Sequence, residues 1–221
     1  MPFEYKFPDP HSADADGLLA AGGDLTVESL ITAYSKGIFP WYNEGSPILW
    51  WSPDPRLILY PGNFKISASL KQTIRKQTFR VTIDTQFERV IRQCALIKRH
   101  GQNGTWLTGE MILAYIALHD AGLAHSFEVW NNGNLAGGLY GISLGRAFFG
   151  ESMFHTMSNA SKIALYTLAR WTAEREFLFI DAQQSTEHLK SLGAKEIPRK
   201  EFLTLLQQAL QYPTLRGNWK M

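Results

Sequence analysis

The chain is poor in the residues that metal and redox chemistry need. It has one cysteine, Cys94, in 221 residues, which excludes a disulfide framework and any multi-cysteine zinc or iron–sulfur site. Cys94 lies among apolar neighbours at helical spacing and reads as a small buried hydrophobe. The six histidines, His11, His100, His119, His125, His155 and His188, show no metal-ligand spacing. No Gly-x-Gly-x-x-Gly follows an apolar strand, which argues against a dinucleotide-binding unit. Ser152, in Gly150-Glu151-Ser152-Met153-Phe154, lacks the flanking glycines of a nucleophile elbow. Long hydrophobic runs are missing as well. The stretch from Val129 to Gly145 carries no charge, but its Gly and Asn residues break it before it could span a bilayer. The first residues carry prolines and acids and no apolar run, so no signal peptide is expected. Together these absences lead us to expect a soluble, cytoplasmic protein.

What is present is ordinary in amount and uneven in placement. Hydrophobic residues make up 45% and charged residues 19%, the balance of a globular chain able to bury a core without staples. Residues 1–60 hold three basic residues against eight acids, and residues 61–100 hold nine against two. The nine are Lys65, Lys71, Arg75, Lys76, Arg80, Arg89, Arg92, Lys98 and Arg99. A polyanion is the natural partner of such a block, and a solvated face balancing the acidic first segment is the alternative. Trp41, Trp50, Trp51 and Trp106 could stack a nucleobase or pack in the core. A boundary is expected near residue 60, where composition and charge sign both switch.

Periodicity predicts the elements. Val27, Leu30, Ile31 and Tyr34 recur at helical spacing, with Gly37 as a plausible C-cap. Prolines between residues 47 and 55 forbid regular helix there, and residues 57–60 read as a short strand. Residues 67–77 read as a helix with Leu70 and Ile74 inward, and residues 79–83 as a strand. Thr85 to Glu88 has the pattern of a capping box that opens a helix burying Phe87, Val90, Ile91 and Cys94. Another helix is predicted over 110–121, ended by Gly122. Three strands over 124–130, 135–143 and 147–154, joined by Asn132-Gly133 and Gly145, form an antiparallel meander. A helix over 159–175, a strand over 177–183 and helices over 186–192 and 199–210 complete the order.

This order fits a mixed α/β (α+β) layer of the acetyltransferase-like (GNAT-like) kind. The Arg/Gln-x-x-Gly-x-Gly/Ala loop that grips the CoA pyrophosphate in such enzymes is missing, since the segment after Phe154 reads HTMSNASK. Two carboxylates then stand out. Asp181 ends an apolar strand two residues before Gln183, and alternation puts both on one side. It either caps the next helix or faces a cleft. Glu151 shares a strand face with Phe149 and Met153, and must be paired or face a cavity.

The segments GLLAAGGDL (17–25), AYSKGIFPWY (33–42), ILWWSPDPR (48–56), TWLT (105–108), AHSFEVW (124–130), AGGLYG (136–141), FFGESMF (148–154), NASK (159–162), FIDAQ (179–183) and HLKSLGAKEIPR (188–199) resemble the leucyl/phenylalanyl-tRNA–protein transferase family, in order and over nearly the whole chain. The resemblance implies a small N-terminal domain (1–60) and a GNAT-like domain (61–221) with a mixed, largely antiparallel sheet. It implies transfer of Leu or Phe, less readily Met, from aminoacyl-tRNA to the α-amine of proteins beginning with Arg or Lys, which marks them for degradation.

The family's site residues carry over by position. Asp181 and Gln183 would be catalytic, and Glu151 would meet the acceptor's positive charge. Trp41 and Trp106 would hold the terminal adenosine. Leu139, Met153, Leu165, Leu168 and Ile180 would line the pocket for the amino-acid side chain. From the basic block rather than from matched positions, Lys65, Lys71, Arg75, Lys76, Arg80, Arg89 and Arg92 would receive tRNA phosphates. An aminoacyl ester is already activated, so no metal or other cofactor is expected, and neither membrane nor DNA as partner. A CoA-dependent N-acetyltransferase and a non-catalytic tRNA-binding protein are the rival readings.

Overall fold

The computed structural model describes residues 6–97 and 107–221. Two sheets organise it. Three short strands, β1 (Leu18–Ala21), β2 (Phe39–Pro40) and β3 (Leu49–Trp51), pair antiparallel in the order β1-β3-β2. The large sheet has seven strands, formed by β4 (Arg56–Leu59), β5 (Arg80–Ile83), β6 (Ala124–Asn131), β7 (Asn134–Leu144), β8 (Ala147–His155), β9 (Phe179–Gln183) and β10 (Lys195–Ile197). Their order is β10-β4-β9-β8-β7-β6-β5, and every pair is antiparallel except β8 with β9. This is the expected mixed, largely antiparallel α/β architecture. Residues 56–59 precede the boundary expected near 60, yet they form β4, inside this sheet.

Side-chain alternation splits the core in two. Ile58, Ile142, Phe149 and Phe179 face one layer of helices. It comprises α1 (Val27–Ser35), α3 (Phe87–Leu96), α4 (Gly109–Asp120) and α7 (Arg199–Ala209). Leu57, Leu139, Phe148 and Ile180 face α2 (Ala68–Arg75) and α5 (Ala160–Ala173), with α6 (Glu187–Ser191) beside them. Leu30, Tyr34, Phe39 and Trp50, all from the first 60 residues, belong to the same buried cluster as α3, α4 and α7.

Local chemistry sets most helix starts. The hydroxyls of Thr26, Ser67, Thr108 and Thr186 accept the backbone N–H three residues on. The capping box expected at Thr85–Glu88 does not form. Gln86 is the N-cap and makes no side-chain cap bond, while the Thr85 hydroxyl donates to Glu128 at 2.8 Å. Glu128 is fully buried on β6, and a buried carboxylate without donors costs more than an uncapped helix start.

A cavity where two parallel strands part

β8 and β9 run side by side only from Ala147–Phe149 to Phe179–Asp181. Beyond that point β8 follows β7 and β9 follows β4. The sheet therefore splits at the carboxyl ends of its two parallel strands, which is where open α/β sheets place their ligands. A cavity of about 400 Å³ fills the split. Its apolar wall is built from Leu139, Met153, Leu165, Leu168 and Ile180, its polar end from Glu151, Asp181 and Gln183, and its rim includes Trp41. Every pocket residue expected from the sequence thus lies on one cavity, apart from Trp106, which is outside the described residues together with Lys98 and Arg99.

Two backbone irregularities aim the polar groups. Tyr140 pairs with Ser152 and Gly141 with Gly150, so Glu151 is the extra residue of a β-bulge. The expectation that Phe149, Glu151 and Met153 share a face is therefore corrected. Phe149 packs towards α1 and α7, and Met153 packs against the opposite core. The bulge needs glycine nearby, because a Cβ on Gly141 would lie 2.1 Å from the Phe149 carbonyl oxygen. On β9 the register slips between Asp181 and Gln183. Gln183 adopts φ +61°, held by its own N–H, which donates to Asp181 Oδ1 at 2.9 Å.

The carboxylates are fully engaged. Asp181 takes a two-pronged ion pair from Arg56, Nε to Oδ1 at 2.9 Å and Nη2 to Oδ2 at 2.7 Å, with both residues buried. The guanidinium lies between the rings of Phe39 and Phe202, 4.8 and 4.5 Å from their centroids. Asp181 therefore neither caps the next helix, whose N-cap is Thr186, nor touches the Gln183 side chain. It fixes the Gln183 backbone. The Gln183 amide nitrogen donates instead to Glu151 Oε1 at 2.7 Å. Glu151 also accepts from Tyr34 at 2.7 Å and from Tyr115 at 2.8 Å, and the two tyrosine oxygens are 2.7 Å apart. Burial lifts the Glu151 carboxyl to about 7, against the lowering effect of its three donors. Burial and the Glu151 charge push both tyrosines well above their ordinary value.

Arg56, Tyr34 and Tyr115 were not singled out from the sequence. A signal existed for Arg56, a charge opening the otherwise apolar strand Leu57-Ile58-Leu59. None existed for the tyrosines, whose spacing reads equally well as core.

The basic block divides. All seven assigned residues are exposed. Lys65, Lys71, Arg75 and Lys76 lie on or beside α2, Arg80 lies on the edge strand β5, and Arg89 and Arg92 lie on α3 across the sheet. Arg92 is paired with Glu88 at 2.7 Å, and Arg89 sits 5.6 Å from the Trp130 ring. Among the described residues no group of three or more His, Cys, Asp and Glu could hold a metal ion. No described helix is long and apolar enough to cross a membrane.

Residues 58–207 match the sequence model of leucyl/phenylalanyl-tRNA protein transferase, and residues 23–54 match that of its N-terminal domain. A protein named leucyl/phenylalanyl-tRNA–protein transferase from Desulfatibacillum aliphaticivorans is 58% identical over 215 residues, 97% of this chain and 92% of that one. Its namesake from Legionella pneumophila strain Corby is 58% identical over 217 residues, 98% of this chain and 97% of its own. Among solved structures, L-PGS from Bacillus licheniformis superposes with a TM-score of 0.41 at 11% identity, covering 73% of this chain and 52% of that one. A ribosomal-protein-alanine N-acetyltransferase from Brucella melitensis gives 0.36 at 16% identity, covering 52% and 88%.

The sequence matches make the chain an acyltransferase that moves an aminoacyl group from tRNA to protein. It belongs to the leucyl/phenylalanyl-tRNA protein transferase family.

Proposed function

We propose that this protein takes Leu or Phe, and less readily Met, from aminoacyl-tRNA and joins it to the α-amine of proteins that begin with Arg or Lys. The reading is of a cytoplasmic enzyme whose products carry a degradation signal. One observation carries it: an apolar cavity that closes on a buried carboxylate–amide cluster. The amino-acid side chain occupies the apolar part, against Leu139, Met153, Leu165, Leu168 and Ile180. Trp41, with Trp106, takes the terminal adenosine, and the basic residues along α2 take acceptor-stem phosphates without reading sequence.

The chemistry asks for little. An α-amine has a pKa of about 7.7–8.0, so near neutrality it must shed one proton before it attacks the ester carbonyl. The Gln183 nitrogen is committed to Glu151, which leaves the side-chain carbonyl of Gln183 to accept a hydrogen bond from the amine and aim it. Asp181 acts on Gln183 through the backbone, and Arg56 anchors Asp181. Glu151, with its carboxyl near 7, becomes fully anionic when a cation arrives. This favours acceptors that bring a second positive charge beside the amine. The amide bond then forms as the ribose oxygen leaves, and that oxygen takes up the proton given up by the amine.

The test is transfer of a labelled leucyl group from Leu-tRNA to an Arg-initiated peptide. Asp181→Asn should lose transfer while tRNA affinity stays within about twofold. Full turnover by the variant removes the assignment. Tight tRNA binding with no transfer by the parent chain would favour the non-catalytic reading.

A further inference from the structure

Three basic side chains, one of them on the cavity wall, take no part in the roles above. His155 follows Met153 by two residues on β8 and emerges on the same face of the sheet, beyond the bulge. Lys162 precedes Leu165 by three residues on α5, so it stands over the same helix face one turn nearer the N-terminus. His188 lines the cavity itself. The His155 Nδ1 is 3.3 Å from the Ser161 hydroxyl, which ties β8 to the first turn of α5. Burial, together with the charges of Lys162 and His155, holds the His188 imidazole below its ordinary pKa. The first turn of α5 carries no acidic residue and no side-chain cap, so its positive end adds to the field. The carboxylates of the region are committed elsewhere, Glu187 and Glu196 to Lys190 and Asp181 to Arg56.

We infer that His155, Lys162 and His188 form a subsite for a phosphate ester, and that the ester is the one on the 5′ side of the nucleotide carrying the amino acid. The inference rests on the proposed function, since it assigns the cavity behind the subsite to the aminoacyl group. A second feature gives it direction. The Asn159 amide donates to the Thr73 hydroxyl at 3.0 Å, which holds α2, with Lys71, Arg75 and Lys76, against the start of α5. An RNA backbone lying along the basic face of α2 would thus reach the start of α5 and deliver its last phosphate to His155, Lys162 and His188.

The probes are two non-hydrolysable leucylamido-adenosines, one bearing a 5′-phosphate, titrated by calorimetry into the whole chain and into a Lys162→Gln/His155→Gln variant. His155 is exposed and Lys162 half-buried, and thermal unfolding verifies that the variant folds. With charge-assisted contacts of ordinary strength, the phosphate should tighten binding by about tenfold in the parent and less than twofold in the variant. The compound without phosphate should bind both alike. No gain in the parent, or a gain that survives in the variant, overturns the subsite. If neither compound binds the parent, the proposed function fails instead. The uncharged trinucleotide CCA with a 5′-phosphate then decides the subsite alone: weaker binding by the variant upholds it, and equal binding overturns it.

Discussion

Glu151 should make the folded chain less stable as pH rises from about 4.5 to about 7, and Glu151→Gln should abolish that dependence. The carboxyl is buried and its pKa rises from 4.5 to about 7 on folding. A folded-state pKa above the unfolded one means that the native state binds more protons between the two values. The contribution is therefore fully present below about 4.5 and is lost as pH rises through about 7. At 1.36 kcal/mol per pKa unit the loss amounts to roughly 3 kcal/mol. A neutral amide has no such titration. Its oxygen can accept from Tyr34 and Gln183 as the carboxylate does, and its NH₂ can donate to Tyr115, whose hydroxyl can turn towards Tyr34. The assay is urea unfolding of parent and variant from pH 4 to pH 9 at constant ionic strength. The stability difference should move in favour of the variant by roughly 3 kcal/mol, with its midpoint between the two pKa values. Parallel curves across that range would refute the reasoning, because a carboxyl that ionises without cost is not desolvated.

Arg56→Met should cost about 3–5 kcal/mol in the same unfolding assay, since it strands Asp181 as an unpaired buried charge. Adding Asp181→Asn should return most of that stability without restoring transfer, which separates folding from function. Gly141→Ala should destabilise by about 3 kcal/mol or more, because the new methyl meets the Phe149 carbonyl at the bulge that presents Glu151. Thermal melts check this, and an unchanged melting temperature would contradict the packing. Leu165→Ala should enlarge the apolar wall and shift relative kcat/KM towards bulkier aminoacyl groups by roughly tenfold, a change of one or two methylenes' worth of pocket contact. Lys71→Gln with Arg75→Gln should reduce the salt slope of tRNA binding by about 2; an unaltered slope places the phosphates elsewhere.

Local signals were enough for much of the fold. The meander Ala124–His155 follows from alternating apolar strands joined by Asn132-Gly133 and Gly145, whose positive φ values are what such tight turns require. The buried stripe Phe87, Val90, Ile91 and Cys94 placed α3 correctly. Its start was misread, because the Thr85 hydroxyl is drawn to Glu128, 43 residues away. The short strands β1, β2, β3 and β10 escaped notice, since two to four residues carry too little periodicity to register.

The site divides along the same line. Which residues line the cavity was legible through the family resemblance: Leu139, Glu151, Met153, Ile180, Asp181 and Gln183 lie inside the runs that carry it, and Leu165 and Leu168 follow NASK on the same helix. How they are held was not legible. The Arg56–Asp181 pair joins residues 125 apart, and Tyr34 reaches Glu151 across 117. A chain cannot encode in any local pattern which of its distant charges it will bury together. The bulge at Glu151 and the turn at Gln183 likewise arise from pairing with β7 and β4. Periodicity thus chose the longer strands and helices and the resemblance to a family named the wall, while the three-dimensional packing alone chose the donors around each carboxylate and so the chemistry each can perform.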